Sequence, residues 1–280
     1  MNVLVVGAGG KVGSIIPEFL GDDPEYEFTY VDIETNDYVT DTVDARNYTD
    51  VRPFFDDVDA VVNLSLVPGS AETDNWAVHL DNLRITWNVY RAAQDADVSI
   101  VVYASTNHVV GEYELETAPD LYEPDSDRLL DHTATPRPDS LYAAGKLYGE
   151  GLGRYIVESD GAPESVFAIR IGTVREPPHD NPYGYPEQRV EAGAFERGSE
   201  EYETLVKRSK GLWQSRRDLA NMIECCLDEP PAGFEVFYGV SANTRRWLDI
   251  GHARDVVGYD PQDDGEEWTE PPRELLENGK

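Results

Sequence analysis

Two kinds of segment alternate along the chain. Short apolar runs with few polar breaks are typical of strands buried in a parallel sheet. They are NVLVV from Asn2, YEFTYVDIE from Tyr26, VDAVVNL from Val58, VSIVVYAS from Val98 and SVFAIRI from Ser165. Between them lie stretches with apolar residues at helical spacing, such as the one that begins near Asn75. This order predicts an α/β fold, a doubly wound parallel sheet of the Rossmann type.

The character of the chain changes after Val174. Residues 175–211 are rich in Pro, Gly and charge, and an amphipathic helical pattern resumes with Ser215 as a candidate N-cap. We therefore predict a dinucleotide-binding core over 1–174, completed by about 212–232. Segments 175–211 and 233–280 then form the substrate side of the same globular unit.

Composition narrows the class of protein. The chain has 280 residues and is 40% hydrophobic, which indicates a folded protein. Its 55 acidic and 23 basic residues give a net charge of -32, which repels nucleic acid and anionic membranes. No apolar run reaches the length of a membrane span and no signal peptide is recognisable, so we expect a cytoplasmic protein. The spread of acids over most loops is typical of proteins that work in concentrated salt.

A glycine turn follows the first strand and leads into a helical pattern. Gly7, Gly10 and Gly13 in GAGGKVG have the spacing that lets a backbone approach a pyrophosphate at a helix N-terminus. Asp32 ends the second strand about 20 residues later, where a carboxylate can accept hydrogen bonds from a ribose. Its charge opposes a 2'-phosphate, which favours NAD over NADP. Asp44 is a weaker candidate for the adenine pocket; a ligand-free turn and an ordinary loop acid remain the alternatives.

Chemistry-bearing side chains occur at two later points. Tyr142 and Lys146 stand four residues apart, so on a helix they share a face, and an ammonium lowers the pKa of a neighbouring phenol. Thr106, Asn107 and His108 follow a buried strand, where parallel sheets bind ligands. A surface Tyr-Lys stack and a structural histidine are the alternatives. Cys225 and Cys226 match no metal spacing, so we expect no metal.

Together these motifs resemble the extended short-chain dehydrogenases/reductases over nearly the whole chain. ASTNHVVG, PRPDSLYAAGKLYGEGLGRYI, IRIGTV and LWQSRRDLANMIE are similar to the uronate dehydrogenase branch. Within it, the haloarchaeal NAD-dependent glucose-6-phosphate dehydrogenase group is nearest. The resemblance implies that Tyr142 is the general base, that Lys146 lowers its pKa and holds the nicotinamide ribose, and that Thr106 binds the substrate oxygen.

The resemblance also implies two sets of binding residues. For NAD they are Gly7, Gly10, Lys11, Val12, Gly13, Asp32, Ile33, Asp44, Ala45, Leu64, Ser65, Asn82, Tyr142, Lys146 and Ile171. For the substrate they are Thr106, Asn107, His108, Tyr142 and Arg208. Arg208 belongs to the basic stretch KRSK with Lys207 and Lys210, for which a solvated basic turn is the alternative.

Three departures from the branch bear on the substrate. Gly145 replaces a serine in the Tyr-Lys motif, Pro68 stands where uronate dehydrogenases carry a substrate-contacting serine, and the segment His179–Tyr202 is longer than expected. We expect NAD-dependent oxidation of a sugar at C1 to the lactone, with glucose 6-phosphate as the substrate. A homo-oligomer is a possible assembly. The alternatives are a neutral aldose such as L-arabinose or a uronate, then a nucleotide-sugar epimerase, then a non-catalytic NAD-binding sensor.

Overall fold

A computed structural model describes residues 1–124, 126–159 and 161–277. In these residues seven parallel strands form one sheet in the order β3-β2-β1-β4-β5-β6-β7. The strands are β1 (Asn2–Val6), β2 (Glu27–Asp32), β3 (Asp41–Thr42), β4 (Ala60–Asn63), β5 (Ile100–Thr106), β6 (Ser165–Ile171) and β7 (Gly233–Gly239). The predicted doubly wound α/β fold is confirmed.

Helices cover both faces of this sheet. They are α1 (Ile15–Phe19), α2 (Tyr48–Val51), α3 (Trp76–Asp95), α4 (Gly111–Thr117), α5 (Leu141–Val157), α6 (Gly184–Glu191), α7 (Glu200–Leu212), α8 (Arg216–Asp228), α9 (Gly251–Val257) and α10 (Arg273–Glu277). Among the described residues, no helix combines the length and apolar character that a membrane crossing requires.

The strands are apolar on both faces because each face is covered by a helical layer. Leu4 of β1 belongs to the core shared with α3 and α5, whereas its neighbour Val5 belongs to the core shared with α1 and α8. All seven residues of β5 are buried, as expected for the middle of a parallel sheet. The carboxyl ends of β1, β4, β5 and β6 therefore meet at one edge of the sheet. The loops that carry the predicted site residues follow these strand ends.

Local sequence explains where two helices begin. Ser215 caps α8, since its hydroxyl accepts a hydrogen bond from the Asp218 amide at 3.1 Å. Pro17 lies in the first turn of the five-residue α1, where the missing N–H breaks no helical hydrogen bond. The predicted N-cap is confirmed, and Pro17 takes the first-turn position.

The structure differs from the predicted domain division at two points. β7 lies within the predicted substrate-side segment 233–280, yet it pairs with β6 over its whole length and extends the sheet. Segment 175–211 contains two helices, α6 and α7. The KRSK stretch lies on α7, so the alternative of a solvated basic turn is wrong: the acidic first turn of α7 and the Ser199 N-cap favour a helix there.

Candidate active site

The glycine turn lies between β1 and α1, and one of its positions requires glycine. Gly7 has φ +85°, and a Cβ there would come within 2.6 Å of the Ser65 backbone. A side chain would therefore push the turn away from the loop after β4. Because Gly7 has none, the two backbone segments approach and form one wall of a cavity.

This cavity has a volume of about 730 Å³. Its lining includes most of the residues predicted to hold NAD: Gly7, Gly10, Lys11, Val12, Gly13, Asp32, Ile33, Asp44, Ala45, Leu64 and Ser65. The glycine turn leaves its backbone open to a ligand, since a Cβ on Gly10 would find no atom closer than 3.7 Å. The residues present therefore fit a dinucleotide; the individual binding roles stay predictions.

Asp32 is held in place by the backbone on both sides. Its carboxylate accepts hydrogen bonds from the Gly9 amide at 2.8 Å and from the Ile33 amide at 2.6 Å. This fixes a negative charge beside the glycine turn, at the end of β2. Asp44 instead forms an ion pair with Arg46 at 2.7 Å. That pair lowers the pKa of Asp44, chiefly through the hydrogen bond from Arg46.

Four of the predicted NAD residues do not line this cavity. The Asn82 side chain accepts a hydrogen bond from the Val67 amide at 2.8 Å, so it supports the loop that carries Pro68. Ile171 is the last residue of β6. Tyr142 and Lys146 lie on α5, and the charge of Glu72, which lines the cavity, acts on the pKa of Tyr142. Asn82 is therefore placed to shape the site through the backbone.

Tyr142 and Lys146 occupy the first turns of α5, as predicted. Ser140 caps the helix by accepting a hydrogen bond from the Ala143 amide at 3.2 Å. The Lys146 ammonium lies 5.9 Å from the ring centre of Tyr142 and 5.1 Å from that of Tyr103. Lys146 is buried and, among the described residues, has no carboxylate partner, so burial lowers its pKa to about 8. A buried ammonium without a counterion fits a site that receives polar ligand groups.

The environment of Tyr142 acts on its acidity in opposite directions. Burial raises the pKa of Tyr142 to about 12, a hydrogen bond with Thr106 lowers it, and the charge of Glu72 raises it. The phenol is thus neutral at physiological pH before ligands bind. It can act as a base only when added positive charge stabilises the phenolate. The oxidised nicotinamide ring carries such a charge.

Thr106, Asn107 and His108 follow β5 at the same edge. Thr106 and Asn107 are buried, whereas the His108 side chain is 41% exposed. Its Nδ1 lies 2.6 Å from Oδ2 of Asp139. Thr106 lies close enough to Tyr142 to lower its pKa, and the opposite edge of the imidazole is available to a ligand.

The predicted basic cluster is neutralised by carboxylates. Lys207 lies 2.6 Å from Glu123, Arg208 lies 2.5 Å from Glu114, and Lys210 lies 3.6 Å from Glu266. Arg208 is partly buried beside its partner. Burial opposes its charge, but Glu114 raises its pKa. The stretch KRSK is thus neither a free cationic patch nor a solvated turn.

Two residues of the site were not predicted. Asp139 lies beside His108, and Arg175 follows β6 with its guanidinium 4.5 Å from the ring centre of Tyr185. Position gave a signal for both: Asp139 directly precedes the N-cap of the catalytic helix, and Arg175 comes four residues after a parallel strand ends. In so acidic a chain, one more aspartate did not stand out.

Comparison with known proteins agrees with these features. The model of the NAD dependent epimerase/dehydratase family matches residues 3–179. An NAD-dependent glucose-6-phosphate dehydrogenase of Haloferax volcanii is 36% identical over 95% of both chains. An L-arabinose 1-dehydrogenase (NAD(P)(+)) of that organism is 29% identical over 94% of this chain and 96% of its own.

Solved structures of sugar dehydrogenases are similar to this chain as well. A glucuronic acid dehydrogenase from Chromohalobacter salexigens is 26% identical, with a TM-score of 0.71, over 99% of this chain and 88% of its own. The predicted resemblance to extended short-chain dehydrogenases and the prediction of NAD as cofactor are confirmed. The chain belongs to the NAD-dependent epimerase/dehydratase family.

Proposed function

We propose that this chain oxidises a sugar at C1 to the lactone with NAD, and that the sugar is glucose 6-phosphate. The observation that carries the proposal is the placement of Thr106, Tyr142 and Lys146 beside the glycine-turn cavity. The Haloferax relative that covers 95% of the chain supports the choice of sugar. Tyr142 and Lys146 are both present, which speaks against a sensor without catalysis.

The side chains have distinct roles in this reaction. Thr106 and Tyr142 bind the C1 hydroxyl, and the Tyr142 phenolate removes its proton. Lys146 stabilises that phenolate across the face of α5. When bound, NAD would supply the acceptor for the hydride that leaves C1. C1 loses a hydride and its hydroxyl oxygen loses a proton, so the hemiacetal becomes a lactone. The imidazole edge of His108 and the buried amide of Asn107 orient the sugar ring.

The test is NADH formation in molar KCl with a panel of sugars. The panel contains glucose 6-phosphate, glucose, L-arabinose and glucuronate. We expect glucose 6-phosphate to give the highest kcat/KM. A higher value for another sugar contradicts the choice of substrate, and no turnover with any of them contradicts C1 oxidation.

One observation favours a second candidate, a neutral aldose. All three cations of KRSK already have carboxylate partners, so they offer no unpaired charge to a phosphate. The L-arabinose 1-dehydrogenase relative has a comparable extent of match. Pro68, which lines the cavity in place of a serine, removes a polar contact and makes a uronate less suitable.

We also propose a homo-oligomer. The outer face of α3 exposes Trp76, Leu80 and Trp87 at helical spacing, with exposed fractions of 70%, 59% and 51%. The neighbouring α5 exposes Tyr155 at 67%. An apolar surface on two packed helices is suited to a second copy of the chain. Sedimentation in molar KCl tests this, and a monomer at every concentration contradicts it.

The setting we propose is a salt-rich cytoplasm, with small molecules as ligands. The net charge of -32 supports it and opposes nucleic acid as a partner. Cys225 and Cys226 are free thiols, as expected in a reducing compartment.

A further inference from the structure

Arg175 is a cation without a partner in a chain that has an excess of acids. Among the described residues its guanidinium forms no ion pair or side-chain hydrogen bond, and its Nε is buried without a hydrogen-bond partner. The chain has 55 acidic residues for 23 basic ones, so carboxylates are abundant. The Arg175 side chain is half-buried, and the partial removal of a cation from water without a counterion costs free energy. An arginine kept in this state is suited to an anion that arrives with a ligand.

Arg175 lies at the same edge of the sheet as Thr106, because it follows β6, whose last residue Ile171 pairs with Thr106 at the end of β5. The charge of Glu72, which lines the cavity, acts on the pKa of Arg175 and on that of Tyr142. Burial and then the charge of Arg208 lower the pKa of Arg175. The two arginines thus share one region, where only Arg208 has a carboxylate at contact distance.

The orientation of Arg175 is set by an aromatic ring. Its guanidinium carbon lies 4.5 Å from the ring centre of Tyr185, the second residue of α6. Such stacking uses the face of the guanidinium and leaves its N–H edge to bind an anion through two hydrogen bonds. Tyr185 belongs to the segment His179–Tyr202, which is longer than expected from the resemblance. Known motifs therefore gave no prediction for the contact between Tyr185 and Arg175.

We propose that Arg175 binds the phosphate group of a sugar phosphate at the end remote from C1. This inference rests on the proposed function and names the residue that selects a phosphorylated substrate. A phosphate monoester carries nearly two negative charges at neutral pH. It therefore attracts the guanidinium of Arg175, which has no carboxylate partner within the described residues, more strongly than the single charge of a carboxylate does.

The test compares Arg175→Gln with Arg189→Gln. Arg189 is an exposed residue of α6, so its variant removes the same charge from the same segment. For Arg175→Gln we expect KM for glucose 6-phosphate to rise about 30-fold or more, with kcat within about twofold, because remote binding contributes equally to ground and transition states. Activity on free glucose should stay unchanged, and Arg175→Lys should recover part of the loss. Arg189→Gln should behave as the unmodified protein does.

A second measurement separates binding from turnover. 1,5-Anhydroglucitol 6-phosphate lacks the C1 hydroxyl, so it binds without reacting. At fixed KCl it should raise the Tm of the unmodified protein and of Arg189→Gln, but not that of Arg175→Gln.

The outcomes distinguish this inference from the proposed function. A normal KM for glucose 6-phosphate in Arg175→Gln overturns this inference and leaves the proposed function standing. An equal loss of kcat/KM on glucose and on glucose 6-phosphate also overturns it, because Arg175 would then have a structural role. If glucuronate is the better substrate and loses its activity in Arg175→Gln, the anion is a carboxylate and the phosphate assignment is wrong. If the unmodified protein neither prefers sugar phosphates nor is stabilised by the probe, both are overturned.

Discussion

Nδ1 of His108 lies 2.6 Å from Oδ2 of Asp139, which joins the loop after β5 to the start of α5. Burial raises the pKa of Asp139, but the hydrogen bond with His108, the charge of His108 and a hydrogen bond with Ser140 together outweigh it, so the pKa of this carboxyl is lowered. An ionised Asp139 favours a proton on Nδ1 and leaves Nε2 to the substrate. The pair therefore fixes which edge and which tautomer of His108 the sugar meets.

We predict that Asp139→Asn lowers kcat/KM for the sugar about tenfold or more, mainly through KM, because the imidazole loses its fixed orientation. Binding of NAD should be unchanged, as measured by the quenching of protein fluorescence. Glu116→Gln is the control, since Glu116 pairs with Arg137 on the surface. An Asp139→Asn enzyme with normal kinetics would show that His108 does not orient the substrate.

Tyr142→Phe should lose nearly all turnover and still bind NAD, because only the proton-accepting oxygen is removed. Steady-state NADH formation and a binding titration measure the two effects. Substantial activity in this variant would rule out Tyr142 as the base.

The acidity of Tyr142 also predicts a pH dependence. In the ligand-free site burial raises its pKa to about 12, so the phenolate forms only as pH rises or as positive charge approaches. We expect kcat/KM to increase from neutral to alkaline pH. Lys146→Met should move this rise to higher pH, since the ammonium no longer stabilises the phenolate. An unshifted profile in Lys146→Met would assign the ammonium to ribose binding only.

The site residues that the sequence predicted belong to short motifs, whereas those that it missed depend on contacts between distant parts of the chain. The glycine turn, Asp32, Thr106 and the Tyr142–Lys146 pair are each recognisable within one strand-turn-helix segment. The partners of Arg208 and His108 are not, since Glu114 and Asp139 lie 94 and 31 positions away and meet them only in the folded chain. For this reason the sequence did not show that the cations of KRSK are paired, nor that Arg175 forms no ion pair within the described residues.

Cofactor preference should depend on Asp32. Its carboxylate is fixed by the amides of Gly9 and Ile33, so it cannot easily turn away from a 2'-phosphate. We predict that kcat/KM is higher with NAD than with NADP and that Asp32→Ala narrows the difference about tenfold or more. Asp44→Ala is the comparison, because Asp44 is already paired with Arg46. Equal kcat/KM for the two cofactors in the unmodified protein would contradict this role.

Two glycines of α5 should respond in opposite ways to alanine. A Cβ on Gly145 would lie 3.7 Å from Leu83, an ordinary contact, whereas one on Gly149 would lie 2.3 Å from the Tyr103 ring. We predict that Gly145→Ala stabilises the protein by about 0.5–1 kcal/mol, because alanine lowers the conformational entropy of the unfolded chain and has a higher helix propensity than glycine. Gly149→Ala should destabilise it and reduce activity, since Tyr103 packs against Lys146. Thermal unfolding at fixed salt compares them, and a destabilised Gly145→Ala would show that position 145 does not tolerate a Cβ.

The last prediction concerns salt. With a net charge of -32, like charges on the surface repel one another in the compact state, and ions screen this repulsion over a Debye length of about 10 Å at 0.1 M. We predict that Tm rises by about 10 °C or more between dilute buffer and molar KCl. Sucrose is the control, since it stabilises proteins by exclusion and screens no charge. If repulsion is the cause, most of the gain should appear with KCl at concentrations too low for exclusion, and sucrose should not reproduce it. A Tm that is flat in KCl would show that the ion pairs of the folded chain, such as Arg208 with Glu114, already compensate the local fields, and that the acidic surface is not needed for stability in salt.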